Sequence, residues 1–272
     1  MSRLITSGYQ SRVDGELIEV VSRRDFLTDF GHDYRDGQHV TFIGPTGRGK
    51  STLAFQCLQQ VVSPDRQVIS LHGKIKGRDP VVGRASKQLR LRVTAELPSQ
   101  TRQLYDRKRK WNGYLLVPLE KPGKNVAEEN EKLAQTFADA IHQNYVTRDR
   151  PTITHINEAH QTQNELRDKN NRPLKELCEA VLMRGAPDNA EWNEIQRGKY
   201  VSYHCYGAPE HMFIFYDDDR DNRKRYADFG AADPIVIEAL TSQLKTERAR
   251  DGRTISQCLY IRRGGGMYVI DT

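Results

Sequence analysis

The residues best suited to chemistry form one uninterrupted run, Gly44-Pro45-Thr46-Gly47-Arg48-Gly49-Lys50-Ser51-Thr52. It satisfies the pattern G-x-x-x-x-G-K-[ST]. Its glycines let the backbone curl until successive N–H groups point at a common centre, which suits a phosphate. A helix starting where the run ends adds its positive dipole end to that centre. Lys50 brings a compact charge to the outer phosphates, and Ser51 offers a hydroxyl to Mg²⁺. Gly44 to Thr52 is therefore the expected nucleotide-binding loop, with ATP and Mg²⁺ as ligands. The bland alternative is a glycine-rich turn that binds nothing.

Such a loop needs a strand before it and a helix after it. His39-Val40-Thr41-Phe42-Ile43 is β-prone and ends at Gly44, and Ser51 to Val62 reads as a helix closed by Ser63-Pro64. Gln67–Leu71 and Thr152–Ile156 read as further strands, with Ala190–Gln196 and His211–Tyr216 as strand candidates. Between them, Val126 to Tyr145 has helical spacing, with Val126, Leu133, Phe137 and Ile141 on one face, and Leu174 to Met183 is a helix ending near Gly185. Pro234 to Arg248 reads as a last helix, and Gln257 to Ile270 as a hairpin around Gly264-Gly265-Gly266. This alternation implies an α/β fold with a mainly parallel central sheet, helices on both faces and a C-terminal hairpin. Residues 1–38 read as a lead-in with a few strand-like pieces and 39–272 as the domain. Within it, 78–125 is a basic insertion that resists assignment, and 227–272 carries the last helix and hairpin.

The strand Thr152–Ile156 runs into Asn157-Glu158-Ala159-His160. It resembles the Walker B strand with an adjacent glutamate found in the additional-strand (RecA-like) class of P-loop ATPases. By that resemblance Glu158 orients and polarises the attacking water, while Asn157 takes the place of the acid that holds the Mg²⁺ shell. An amide reaches a metal-bound water but brings no charge. No N-K-x-D-type run supports a GTPase.

The motif order resembles the FtsK/HerA superfamily of ring ATPases, including the packaging ATPases of small tailed phages. The resemblance runs from about residue 38 to 272. It comprises GPTGRGKST, VISLHGKIKGRDP, ITHINEAHQ, LMRGAPDNAEWNEIQRGKYVS, HMFIFYDDDRDNRKRYADFG and the LYIRRGGGMYVID hairpin. It implies that Gln196 is a polar sensor of the terminal phosphate or its water. It implies that Arg184 is an arginine finger acting on a neighbouring subunit's ATP. It further implies a homo-oligomeric ring, a pentamer or hexamer, that moves double-stranded DNA, with viral genome packaging the expected task and a viral portal a candidate partner. A non-translocating switch that controls assembly of a protein partner, and a cellular-type DNA pump, are the alternatives.

Charge agrees with a polyanion partner. The 272-residue chain carries a net charge of +6. Ten basic residues between Arg78 and Lys110 face only Asp79, Glu96 and Asp106, so this segment is +7 and the remainder −1. Arg107, Lys108, Arg109 and Lys110, followed by Trp111, are the candidate DNA contacts; a solvated surface loop is the other reading. No apolar run approaches the roughly 20 residues of a spanning helix, and MSRLITSGYQSR lacks a secretory apolar core. The four cysteines are scattered, so a reducing cytoplasm (the host's, if viral) is the expected setting. His155 and His160 lack a third zinc ligand, and Asp217 to Asp221 reads as a solvated, salt-bridged loop.

Overall fold

The computed structural model describes residues 6–13, 16–73, 80–118, 126–146, 149–168, 170–196, 201–227, 234–248 and 254–271. Short apolar runs between turn residues become strands, and longer runs of helical period become helices. β1 (Thr6–Val13), β2 (Glu16–Ser22) and α1 (Arg23–Asp33) lead into β3 (Val40–Ile43), α2 (Lys50–Val61) and β4 (Gln67–Leu71). Then come α3 (Pro80–Gln88), β5 (Leu91–Thr94), α4 (Gln100–Lys108), β6 (Gly113–Leu116) and α5 (Val126–Val146). β7 (Thr152–Ile156), α6 (Ala159–Asn164), α7 (Leu174–Arg184), β8 (Ala190–Ile195), α8 (His204–Gly207) and β9 (His211–Phe215) follow. The last elements are α9 (Arg220–Ala227), α10 (Pro234–Gln243), β10 (Thr246–Arg248), β11 (Thr254–Ser256), β12 (Cys258–Arg262) and β13 (Met267–Asp271).

One 11-stranded sheet runs β1-β2-β13-β12-β9-β3-β8-β7-β4-β6-β5. From β9 to β5 every neighbouring pair is parallel. β8 lies between β3, which feeds the glycine loop, and β7, which Asn157 and Glu158 follow. That inserted strand defines the additional-strand arrangement. The central strands β3, β4, β7, β8 and β9 are buried at every position, as parallel strands covered on both faces must be.

Alternation along a strand sorts its side chains into two cores. Phe42 joins Phe26, Phe30, Leu53, Leu58, Trp192 and Phe213 under α1 and α2, while Ile43 joins Phe137, Ile141, Val181 and Ile156 under α5 and α7. Phe42 stacks on Phe213 with ring centroids 4.5 Å apart. Each such fully buried ring stabilises the fold by about 2–3 kcal/mol, so these cores, and not loop contacts, hold β3, β7 and β8 in register.

The fold gives shape to two stretches that the sequence assigns only loosely and moves the end of a third. In the described part of the lead-in 1–38 the strand-like pieces join the main sheet: β2 pairs in parallel with β13, β1 pairs antiparallel with β2, and Phe26 and Phe30 of α1 are buried in the aromatic core. The described part of the basic insertion 78–125 extends the sheet, because Gly113–Leu116 pairs in parallel with β4 and Leu91–Thr94 pairs in parallel with Gly113–Leu116. Residues 74–79 and 119–125, Arg78 among them, lie outside the described residues. The last helix stops at Gln243 rather than Arg248. Paired hydrogen bonds between Lys245 and Gln257 draw the chain into β10, which pairs with β11.

Candidate nucleotide site

The ends of β3, β7 and β8 converge on the glycine loop. Gly47 and Gly49 have φ of +81° and +92°, in the left-handed region that suits glycine, with open space where a side chain would go. Gly44 differs: a Cβ there would meet Phe215 Cβ at 2.7 Å. Gly49 is the N-cap of α2 and makes no side-chain capping bond, and a helix N-terminus is the end that favours an anion. Lys50 is buried, and its Nζ donates to Pro45 O at 2.8 Å. Arg48 is tied sideways: its guanidinium pairs with Asp218 at 3.0 Å and lies 5.3 Å from the Tyr216 ring centroid.

Glu158 has φ +56° and ψ +52° and caps α6 from the left-handed region. A long side chain there costs about 1–2 kcal/mol, and strained backbone of this kind clusters at active sites, although Arg90, Lys110 and Asn171 share it elsewhere. Its Oε1 accepts from Gln196 Nε2 at 2.8 Å, and Gln196 Oε1 accepts from Thr46 Oγ1 at 2.9 Å. One amide thus links the loop to the carboxylate. Asn157 is buried, and its Nδ2 donates to Ser51 Oγ at 3.4 Å. Thr52 follows Ser51 in the first turn of α2.

A residue not anticipated from the sequence completes the group. Glu194, on β8 and buried, accepts from Ser51 Oγ through Oε2 at 2.5 Å, and its Oε1 bonds His155 Nε2 at 2.9 Å. His155 Nδ1 shares a hydrogen bond with Ser70 Oγ at 2.8 Å. Burial opposes the charge on Glu194, but the His155 ring and the Ser51 hydroxyl outweigh it and pull its pKa down to about 2. A period of two on a strand puts Glu194 on the same face as Gln196, which was the available signal. The hydroxyl, amide and carboxylate oxygens around Ser51 are hard donors, the chemistry Mg²⁺ requires.

Not every candidate comes to this site. Arg184 is exposed at the end of α7, and the loop after it packs against the starts of the strands: Asn189 Oδ1 accepts from Thr152 N, and Gly37 abuts Pro187. It therefore stands at the rim opposite the glycine loop. Arg107–Lys110 lies at that far rim as well. Arg107 pairs with Asp65 at 2.8 Å, and Arg109 lies 4.7 Å from the Tyr105 ring centroid, while Lys108 and Lys110 are exposed. Arg92 and Arg102 of the basic segment clamp buried Asp106 at 2.7 and 3.2 Å. In the acidic run, Asp217 is buried and accepts from Tyr226 Oη at 2.5 Å and Asn222 Nδ2 at 3.1 Å, so only part of that loop is solvated.

No protein-family model and no curated protein sequence matches the chain. Solved structures do. The genome packaging NTPase of Sulfolobus turreted icosahedral virus 2 in complex with sulfate aligns at a TM-score of 0.54 and 14% identity, covering 88% of this chain and 98% of that one. Its AMPPCP complex gives 0.53 at 14% identity over 86% and 97%. The DNA-packaging ATPase of Sulfolobus Turreted Icosahedral Virus gives 0.52 at 13% identity over 88% and 98%. The chain therefore has the additional-strand P-loop fold, arranged as in viral packaging NTPases.

Proposed function

We propose that the protein hydrolyses ATP and uses the reaction to move double-stranded DNA, with viral genome packaging as its task. The observation that carries this reading is the convergence of Lys50, Ser51, Glu158 and Gln196 at one end of the parallel strands, where Gln196 bonds both Glu158 and Thr46 of the glycine loop and Lys50 bonds Pro45 O of the same loop. The glycine loop amides and Lys50 bind the phosphates. Glu158 takes the proton side of the attacking water, with Gln196 holding water or phosphate against it. Ser51 and Asn157 would hold Mg²⁺, which neutralises charge developing on the phosphates. The fold shared with packaging NTPases, one solved with AMPPCP, supports the assignment.

The rest of the reading concerns assembly. In a homo-oligomeric ring of five or six copies docked on a portal, Arg184 would serve a neighbour's nucleotide, because its own lies across the sheet. Mixing Arg184→Ala with Lys50→Ala protein should then restore activity; no recovery at any ratio would remove the arginine. Exposed Lys108 and Lys110, with Arg107 and Arg109, would grip DNA phosphates without regard to sequence.

One observation favours a second reading, a switch that does not translocate. Much of the basic segment is already paired within the fold, with Asp65, Asp106 and the Tyr105 ring. Phosphate release with and without duplex DNA separates the two. Stimulation by DNA, absent in Lys50→Ala, fits the motor, while a rate indifferent to DNA fits the switch. No release above Lys50→Ala under either condition would sink both.

A further inference from the structure

We propose that Glu194 supplies the negative charge of the Mg²⁺ site that Asn157 lacks, acting as a positioning residue through the Ser51 hydroxyl. This rests on the ATP-binding reading above. A serine hydroxyl binds a cation through an oxygen lone pair, so its proton must be directed away from the ion to an acceptor. On β7 the residue at the strand end is Asn157, whose Nδ2 donates to Ser51 Oγ at 3.4 Å and cannot accept that proton. On β8, Glu194 Oε2 accepts it at 2.5 Å.

The carboxylate is built into the fold. Glu194 is 2% exposed, and its other oxygen is engaged by His155, itself fully buried and bonded to Ser70 on β4. Ser70, His155, Glu194 and Ser51 therefore form one chain of hydrogen bonds from β4 across β7 and β8 to α2. His155 fixes the carboxylate's rotation, so that one oxygen faces the loop. The parallel register sets Glu194 opposite Phe42 of β3, two residues before the glycine loop begins. The site thus keeps one carboxylate beside its hydroxyl, moved from the Walker B strand to the inserted one.

The inference is tested by binding of a fluorescent, non-hydrolysable ATP analogue titrated with Mg²⁺, beside the same measurement in EDTA. Outer-shell partners of a metal are worth about 10- to 100-fold in metal affinity. Glu194→Gln should therefore raise the Mg²⁺ concentration at half-effect by about that factor while leaving binding in EDTA nearly as in the wild type. Adding Asn157→Asp to Glu194→Gln should restore most of the loss, because the charge returns on the neighbouring strand. Should Glu194→Gln alone not fold, the pair His155→Gln with Glu194→Gln leaves neither partner charged and takes the same measurements. An unchanged Mg²⁺ requirement overturns the inference. So does a loss that Asn157→Asp leaves uncorrected, which would make Glu194 a support of the fold only. Wild-type protein that binds no analogue at all would instead overturn the ATP-binding reading, and the inference with it.

Discussion

The two ends of the parallel sheet carry polar residues in different ways. At the glycine-loop end, side chains far apart in sequence bond one another: Ser51 with Glu194, Thr46 with Gln196, Gln196 with Glu158. At the other end, where residues far apart in sequence also meet, as Arg107 and Asp65 do, the basic side chains settle on carboxylates and rings: Arg92 and Arg102 on Asp106, Arg109 on Tyr105. The strand β8 shows the contrast within itself. Glu191, near its start, is pushed up to about 8 by burial, whereas Glu194, near its end, is drawn down to about 2 despite equal burial. Glu191 has one amide partner, Asn193 Nδ2 at 2.8 Å; Glu194 has an imidazole and a hydroxyl. Basic charge is densest at one end of the sheet, while groups that complete one another's hydrogen bonds converge at the other.

The largest effect should come from the loop end. Glu158→Gln should bind nucleotide as the wild type does and lose about 10²- to 10³-fold in hydrolysis, read by phosphate release; near-normal turnover would take the acid out of the reaction. At the opposite end, Asp106→Ala should leave hydrolysis per folded molecule unchanged and cost about 2–3 kcal/mol in urea unfolding. That is the worth of hydrogen bonds to a charged group, below a fully buried pair because Arg92 and Arg102 are partly exposed. A variant equally stable but inactive would erase the distinction between the ends.

Glu191 gives a pH signature. Its ordinary value is 4.5 and its folded value about 8. Between these the folded chain keeps a proton that the unfolded chain has lost, so its contribution to stability is full below about 4.5 and falls as pH rises toward 8. Glu191→Gln should therefore gain on the wild type between pH 5 and pH 8 in denaturant titrations, and parallel curves would show the carboxyl to be ionised throughout. Glu194 behaves oppositely: its contribution is present above the ordinary value and is lost as pH falls through about 2. The smallest effect belongs to the exposed cations. Lys108→Glu with Lys110→Glu should weaken duplex DNA binding about tenfold and flatten its salt dependence; unchanged binding in low salt would place the DNA contacts elsewhere.

Much of this was legible in the sequence for physical reasons. Gly44 to Thr52 could be read because its function requires particular residue types at fixed spacing. The strands Gln67–Leu71 and Thr152–Ile156 could be read because β-branched residues recur along them and turn residues flank them. Residues 1–38 and 78–125 were less legible, because an edge strand such as β1 or β5 earns its place from the neighbour it pairs with. Glu194 was hidden for a related reason. Alternation with Gln196 shows which face Glu194 shares, but nothing amid Trp192, Asn193 and Ile195 shows that Ser51 and His155 will meet it from two other elements.

The backbone at Glu158 has one more consequence. With φ and ψ both positive, and Gln161 N bonded to Glu158 O at 2.9 Å, the peptide units on either side are committed to the opening of α6. The direction in which its Cα–Cβ bond leaves the main chain is therefore fixed by torsion alone, and only the side chain's own rotamers remain free. Re-aiming that bond would require the first turn of α6 to unwind, so this turn is the mount on which the acid is carried.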